Sequence, residues 1–212
     1  MDKTTQKGNG LFTQSMADFF EKTASANPTP GGGSISAVTA LAAVSMVSMN
    51  ANLTVNKKKY SQYREKIQNI LTGCKEITAM LMGLTRADIE VFNNLMAAWK
   101  KGKDSAEFKK SLIDAARIPL EIASAGLRIL QLAGDLAPVG NVNAISDVGV
   151  AAYLAKAAVN AAILNVDINL ERITDEKIKK DFMQKKMEIL KNINELETEI
   201  IKIAGKRISG DI

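Results

Sequence analysis

The chain has 212 residues, enough for one substantial helical domain, and no shift in composition suggests a second domain. It contains no histidine, which excludes a histidine general base, a Ser-His-Asp triad and zinc sites built on imidazole. The net charge is only +5 and most lysines are scattered among glutamates, so we expect no nucleic-acid partner. The single cysteine, Cys74, lies at core spacing, and the chain shows no secretory leader pattern, so we expect a cytoplasmic protein.

The first predicted element is a short amphipathic helix. Residues 1–14 are rich in Lys, Thr, Gly and Asn, and we expect them to be flexible. Ser15 to Asp18 has the pattern of a helix N-terminal cap. The helix must end before Asn27-Pro28, because the residue before a proline disfavours helical geometry.

A glycine-rich segment, NPTPGGGS, follows from Asn27 to Ser34. Its prolines fix the backbone, its glycines remove every β-carbon that would hold a ligand away, and Ser34 or Ser36 can cap the next helix. The bare glycines also have a purely structural interpretation, in which they let two buried helices meet. We predict a ligand-binding loop made of Pro30, Gly31, Gly32, Gly33 and Ser34.

The next helix is unusual because no residue from Gly31 to Asn56 is charged. The stretch has the length of a membrane span, but serine, threonine and asparagine interrupt it repeatedly. We therefore expect a buried central helix, and no membrane partner.

The middle of the chain predicts two further helical regions. From Tyr60 to Trp99 the apolar spacing indicates one long helix, or two joined near Gly83. Another helix is expected from about Ser105 to Ala133, with a kink or a break at Pro119.

The last third predicts a second loop and two more helices. The segment GDLAPVGNVN ends in Ser146-Asp147, which suits the cap and first turn of an alanine-rich helix running to Leu170. A long charged helix follows, with an apolar stripe from Ile178 to Ile203 that is broad enough to suggest a homodimer. The predicted fold is all-α, a single-domain bundle of five to seven helices with two small-residue helices at its centre.

Several of these segments together resemble a known family. They are PTPGGGS, Asn52-Leu53-Thr54 with Lys57-Lys58-Lys59-Tyr60, and GNVNAISDVGVAA from Gly140 to Ala152. Because these segments occur in this order, the chain resembles the cyclodeaminase/cyclohydrolase family of tetrahydrofolate enzymes over nearly its whole length after Met16. The resemblance implies an all-helical, usually dimeric domain spanning residues 15–212 that acts on one-carbon units bridging N5 and N10 of tetrahydrofolate.

Two activities recur in that family, and the sequence hardly separates them. The first expectation is methenyltetrahydrofolate cyclohydrolase, which hydrolyses 5,10-methenyltetrahydrofolate to the 10-formyl form. The alternative is formimidoyltetrahydrofolate cyclodeaminase, which closes the ring and releases ammonia. A third hypothesis is a non-catalytic folate-binding or scaffold protein. We expect no metal and no cofactor beyond the folate substrate, because the methenyl carbon is already electrophilic.

Two carboxylates are the candidate catalytic groups. Asp147 is the first choice, because it stands at a loop-to-helix junction in a mostly apolar context. Asp88 is the second, as another carboxylate or as an anchor for the amino-pyrimidine edge of the pterin. The structural alternatives are a helix N-terminal charge at Asp147 and a solvated helix face at Asp88.

Four further residues are candidates for substrate binding. Asn141 and Asn143 can hydrogen-bond a heterocycle, although asparagine is also chosen for turns. Lys57 and Lys58 suit the carboxylates of the folate tail, although a lysine run is more often a solvated helix end.

Overall fold

The structure is a computed structural model that describes residues 11–211, and most of the segment predicted to be flexible lies outside them. Within this range the protein is a bundle of α-helices without strands, as the sequence predicts. The helices are α1 (Met16–Ala24), α2 (Gly32–Val55), α3 (Arg64–Lys101), α4 (Ala106–Leu136), α5 (Ile145–Leu170) and α6 (Glu176–Ser209). Short 3-10 turns cover Leu11–Thr13, Lys58–Tyr63 and Val142–Ala144.

The two small-residue helices, α2 and α5, lie side by side at the centre, as expected. They run antiparallel, because Gly32 at the start of α2 meets Asn165 near the end of α5, while Asn50 bonds Ala144. Alanines fill the contact, and those at 37, 40, 43, 151, 155 and 158 are fully buried. Small side chains let the two backbones approach closely, which fixes the ends of both helices relative to each other.

The charged helices α3, α4 and α6 pack around this centre. Helix α3 passes Gly83 without interruption, so the region is one helix and not two. Helix α4 also continues through Pro119, so the predicted break is absent. A β-carbon at Gly126 would stand 2.5 Å from Val159 Cγ2, which explains the small residue where α4 crosses α5.

The apolar stripe of α6 is mostly covered within the single chain, unlike the expectation that it needs a second subunit. Phe182, Ile189, Ile193 and Ile200 are buried against the bundle. Three large apolar residues of α6 stay exposed, Met183, Met187 and Ile208, and the central helices α2 and α5 expose six: Met49, Leu53, Val150, Tyr153, Leu164 and Ile168.

A buried polar network ties the loop before α5 to the end of α2. Asn50 donates from Nδ2 to the carbonyls of Asn141 and Ala144, at 3.1 and 2.7 Å. The Asn141 backbone N–H donates in return to Asn50 Oδ1 and to Thr54 Oγ1. Because every buried side-chain polar atom of the described residues has a partner, this network stabilises the fold at that end.

Two helical segments, Gly32–Val55 and Val142–Leu170, are long and apolar enough to cross a bilayer by length and composition. About half of each apolar window is buried inside the bundle, at 44% and 50%. Core helices of a bundle have the same composition, so the absence of a membrane partner stays a prediction.

Candidate functional site

A cleft of about 290 Å³ opens beside the N-terminus of α2. One wall is the segment before α2, with Pro28, Thr29 and Gly31, and continues into Gly32 and Gly33 at the start of α2. The opposite wall belongs to α3, α4 and the end of α5. Its polar lining is Asp88, Asn165, Asn169 and Arg172, and its apolar lining is Val91, Phe92, Leu95, Met96, Ala115, Pro119 and Ile168. Such an apolar cleft with a few convergent polar groups has the character of a small-ligand site.

Asp88 is the carboxylate of this cleft. It accepts a hydrogen bond from Ser34 Oγ at 2.8 Å and another from the Ser34 backbone N–H. The pKa of Asp88 is raised, because burial of the carboxyl outweighs these two hydrogen bonds. Asp88 is therefore a group that can exchange a proton nearer to neutral pH than an exposed aspartate.

The same carboxylate serves as the cap of α2. The N-cap residue, Gly31, has no side chain to offer, and neither Ser34 nor Ser36 fills the predicted capping role. Ser34 donates to Asp88, while Ser36 Oγ donates to the Gly32 carbonyl at 2.7 Å. The negative charge of Asp88 next to free amides is favourable, as at any helix N-terminus.

Close approaches of neighbouring atoms explain why residues 31–33 are all glycine. A β-carbon at Gly33 would overlap the Asp88 carboxylate. One at Gly32 would lie 3.1 Å from Asn165 Oδ1, and one at Gly31 would lie 3.2 Å from the Pro28 carbonyl. Gly31, Gly32 and Gly33 thus both line the cleft and let its other residues come near the backbone.

Asn165 and Asn169 add hydrogen-bond acceptors to the cleft. Asn165 donates from Nδ2 to the Ala161 carbonyl, and Asn169 donates from Nδ2 to the carbonyls of Ala115 and Asn165. These bonds use the amide nitrogens, and no donor within residues 11–211 reaches either Oδ1. With Asp88, the cleft offers acceptors to a ligand whose edge carries N–H groups.

A cationic group stands at the mouth of the cleft. The Arg172 guanidinium lies 5.3 Å from the centre of the Trp99 ring, and Lys103 Nζ lies 4.5 Å from it. Trp99 also packs edge to face on Phe108, with ring centres 6.0 Å apart. Arg172 lines the cleft, so its guanidinium suits a carboxylate of a bound ligand, and Lys103 adds a second positive charge on the same ring.

The structure brings together only part of the predicted site. Asp88 and the three glycines line the cleft, and Ser34 bonds Asp88 without lining it, whereas Pro30 is buried and makes no part of the lining. The other five predicted residues lie at the opposite end of the α2–α5 pair: Lys57, Lys58, Asn141, Asn143 and Asp147. Helix α2 has 24 residues, so the two ends are about 36 Å apart within one chain.

At that second end, one residue has a clear structural role. Asn141 is buried, accepts from the Asn143 backbone N–H at 3.2 Å, and donates from Nδ2 to the Leu53 carbonyl at 3.3 Å. Both the oxygen and the nitrogen of its side chain thus bond within the fold, as the turn interpretation of asparagine predicts. The N-cap of α5 is Ala144 rather than Ser146, and Asp147 stands in the first turn.

Three polar residues on the wall opposite the glycines are missing from the site predicted on sequence, namely Asn165, Asn169 and Arg172. The sequence does contain a signal for the two asparagines. They stand four residues apart on an otherwise apolar helix, and this spacing places both side chains on one face. Arg172 can be assigned to the cleft only from the tertiary structure, because its position depends on α5 ending beside Trp99.

Fold and cleft together define an all-α protein with a small-ligand site between helix ends. The chain belongs to the formiminotransferase-cyclodeaminase family, whose model matches residues 15–188. A solved structure of formiminotetrahydrofolate cyclodeaminase from Thermotoga maritima superposes with a TM-score of 0.86 at 30% identity, covering 91% of this chain and 96% of that one. The resemblance and fold class expected from the sequence are thereby confirmed.

Two curated relatives represent both activities of the family. The chain is 28% identical over 204 residues to a methenyltetrahydrofolate cyclohydrolase of Methylorubrum extorquens, covering 92% of this chain and 98% of that protein. It is 27% identical to the formimidoyltransferase-cyclodeaminase of Gallus gallus, covering 95% of this chain but only 39% of that longer protein. Of these two relatives, the Methylorubrum enzyme is the one whose match covers both proteins nearly in full.

Proposed function

We propose that the protein is a methenyltetrahydrofolate cyclohydrolase, which converts 5,10-methenyltetrahydrofolate and water to 10-formyltetrahydrofolate. The observation that carries the proposal is the half-buried Asp88 carboxylate, which lines a cleft of acceptors in a chain that matches such an enzyme over 92% of its length. The pterin ring carries N–H groups on its amino-pyrimidine edge, and these suit the free oxygens of Asn165 and Asn169, which leaves Asp88 for the reacting carbon.

The reaction needs a proton acceptor and a proton donor near the bridging carbon. Water adds to that electrophilic carbon and gives up a proton to a base, so a neutral tetrahedral adduct forms. The C–N5 bond then breaks, N5 takes up a proton, and the hydroxyl proton leaves as the formyl C=O forms on N10. Because its pKa is raised, Asp88 can accept the first proton and return one to N5.

The substrate tail extends past the ring toward the mouth of the cleft. Arg172 and Lys103, both held over Trp99, are positioned for its carboxylate. Lys57 and Lys58, for which the sequence predicts this role, lie at the other end of the same chain.

The activity is tested with the substrate itself, because methenyltetrahydrofolate absorbs in the near ultraviolet and its product does not. We expect the purified protein to accelerate the loss of this band far above the buffer rate, and Asp88→Asn to lower kcat by about 100-fold or more. A rate equal to that of buffer would contradict the proposal.

The second candidate function is formimidoyltetrahydrofolate cyclodeaminase. It is favoured by the similarity to the Thermotoga maritima structure, at 30% identity. The same cleft can serve this reaction, in which N10 attacks the formimidoyl carbon and ammonia leaves. Ammonia released from the formimidoyl substrate, together with no loss of methenyltetrahydrofolate, would favour this function over the first.

We further propose that the protein acts as a homodimer through the exposed face of α2 and α5. This face carries Met49, Leu53, Val150, Tyr153, Leu164 and Ile168, with exposed fractions from 38% to 70%. Exposed large apolar side chains concentrated on two neighbouring helices often mark a surface that a partner covers. A second copy of the chain presents the same face, so one symmetric contact covers both.

A further inference from the structure

Helix α4 contains a proline at the point where it lines the cleft. Pro119 is buried inside the helix, and both Pro119 and Ala115, one turn before it, belong to the lining of the cleft. A proline has no backbone N–H, so the carbonyl four residues earlier loses its helical partner, and the pyrrolidine ring also crowds that carbonyl. In α4 this carbonyl belongs to Ala115. Pro119 therefore leaves a backbone acceptor without its helical partner in the wall of the cleft.

The side-chain amide of Asn169 supplies the bond that Pro119 removes. Asn169 Nδ2 donates to the Ala115 carbonyl at 3.0 Å, from α5 to α4, and to the Asn165 carbonyl at 2.8 Å, within α5. An amide nitrogen carries two N–H donors, and these two bonds use both of them. The reversed amide would place its oxygen against two carbonyl oxygens. Asn169 can therefore present only Oδ1, an acceptor, to a ligand.

Asn165 stands one turn before Asn169 and lines the same cleft. Its Nδ2 donates to the Ala161 carbonyl at 2.9 Å, and its amide lies against the start of α2, where a β-carbon at Gly32 would be 3.1 Å from Oδ1. Residues four apart on a helix have β-carbons about 5–6 Å apart. An amino group directs its two hydrogens about 120° apart, so two acceptors bonded to it stand about 5 Å from each other. The spacing of the two asparagines therefore suits one amino group.

We propose that Asn165 and Asn169 together bind the 2-amino group of the pterin ring. Pro119 is then a positioning residue, because it frees the Ala115 carbonyl that fixes Asn169 for this contact. The inference deepens the proposed function, on which it rests, by naming the substrate group that the cleft selects. An analogue without the amino group is rejected, because the two oxygens would then stay unpaired in a largely apolar cleft.

Ligand binding tests the amino-group contact without turnover. The probes are tetrahydrofolate, which has no one-carbon bridge to hydrolyse, and its analogue with a methyl group in place of the 2-amino group. We expect calorimetry to show that the wild type binds tetrahydrofolate about 10-fold or more tightly than the analogue. Asn169→Leu should reduce this ratio about 3- to 10-fold, the value of one neutral hydrogen bond. Equal binding of both ligands by the wild type would overturn the proposal.

Asn192→Leu is the matched control for the loss of an asparagine. Asn192 also donates from Nδ2 to the carbonyl four residues before it, that of Glu188, but it lies on α6 and outside the cleft. We expect this variant to keep the wild-type ratio of the two affinities. A loss of discrimination as large as that of Asn169→Leu would contradict the contact.

A double-mutant cycle on stability tests the link between Pro119 and Asn169. Asn169→Leu leaves the Ala115 carbonyl without its donor, and Pro119→Ala returns the backbone N–H that can bond it. We expect Asn169→Leu to lower the urea midpoint. Pro119→Ala should raise the midpoint by more in the Asn169→Leu background than in the wild type. Equal effects of Pro119→Ala in both backgrounds would overturn the positioning role of Pro119.

The kinetics of Pro119→Ala separate positioning from support of the fold. A contact to the edge of the ring acts on the ground state and the transition state alike, so its loss raises KM and leaves kcat unchanged. We expect KM for methenyltetrahydrofolate to rise about 3- to 10-fold in this variant, with kcat close to that of the wild type. A fall in kcat at unchanged KM would contradict the proposal.

These measurements separate failure of the inference from failure of the proposed function. A wild type that hydrolyses methenyltetrahydrofolate but binds both ligands equally would keep the function and refute the amino-group contact. A wild type that is inactive on both folate substrates, but discriminates between the two ligands as expected, would refute the function and keep the contact. Failure to bind either ligand would refute both.

Discussion

At the scale of single residues, Asp88 has two roles that depend on the same contacts. Its carboxylate accepts from the hydroxyl and the backbone N–H of Ser34, and so closes the start of α2. Burial nevertheless raises its pKa, so the ionised form costs free energy in the folded state. The ionised Asp88 carboxylate therefore stabilises the start of α2 less than an exposed capping carboxylate would. The same raised pKa lets Asp88 exchange protons with a substrate.

The raised pKa of Asp88 predicts a pH dependence of stability. Between the unfolded value near 3.8 and the higher folded value, the folded chain binds the proton more tightly, so this contribution to the free energy of unfolding falls as pH rises. We expect Asp88→Asn to remove that fall, measured by urea unfolding at a series of pH values from about 4 upward.

Ser34→Ala is the matched second variant for the same experiment. The Ser34 hydroxyl lowers the pKa of Asp88, so its removal should shift the fall in stability to higher pH. Identical profiles for wild type and both variants would contradict the account of Asp88 given above.

At the scale of elements, the start of α2 depends on a glycine for its position against α3. The helix carries Gly33 into direct contact with Asp88, and any β-carbon there would overlap the carboxylate. The requirement comes from the neighbouring helix rather than from the backbone, because positive φ angles in residues 11–211 occur only at Gly102 and Gly210.

We expect Gly33→Ala to lower the free energy of unfolding by about 1–3 kcal/mol, the usual cost of overpacking, and to displace Asp88. Gly83→Ala is the control, since Gly83 is an exposed glycine inside α3 with no heavy atom near its β-carbon position. That substitution should stabilise the protein by about 0.5–1 kcal/mol. Urea unfolding and the methenyltetrahydrofolate assay measure both effects, and equal stability of the two variants would refute the close approach.

At the scale of the whole molecule, the two central helices leave one face uncovered. The outer helices protect the remaining sides, and α6 buries most of its own stripe within the chain. The polar network around Asn50 lies at one end of this face, and the cleft around Asp88 lies at the other. A partner on the face would therefore contact both ends at once.

We expect Leu164→Asp to weaken the homodimer by about 100-fold or more, because an unpaired buried charge costs several kcal/mol. Leu164 is 70% exposed in the single chain, so the substitution should leave the fold intact. The control is Met187→Asp on α6, where the side chain is 60% exposed but lies outside the face. Sedimentation of both variants measures the effect, and a dimer unaffected by Leu164→Asp would contradict the proposed contact.

The sequence by itself determined what depends on near neighbours in the chain. The capping pattern of Ser15 and Asp18 is confirmed by two reciprocal hydrogen bonds, at 3.0 and 3.2 Å, and Cys74 is buried as its spacing predicts. The small residues of α2 and α5 likewise predict their central place, because only small side chains permit such close packing.

Only the tertiary structure decided which predicted residues share a site. Asp88 follows Ser34 by 54 positions and yet bonds it directly, whereas Asp147 and Asp88 lie at opposite ends of the bundle. That outcome depends on the antiparallel pairing of α2 and α5 and on the crossing of α3, which no local pattern encodes. The physical reason is that helix periodicity specifies which face is buried, while the order and direction of packed helices arise from contacts between residues distant in the chain.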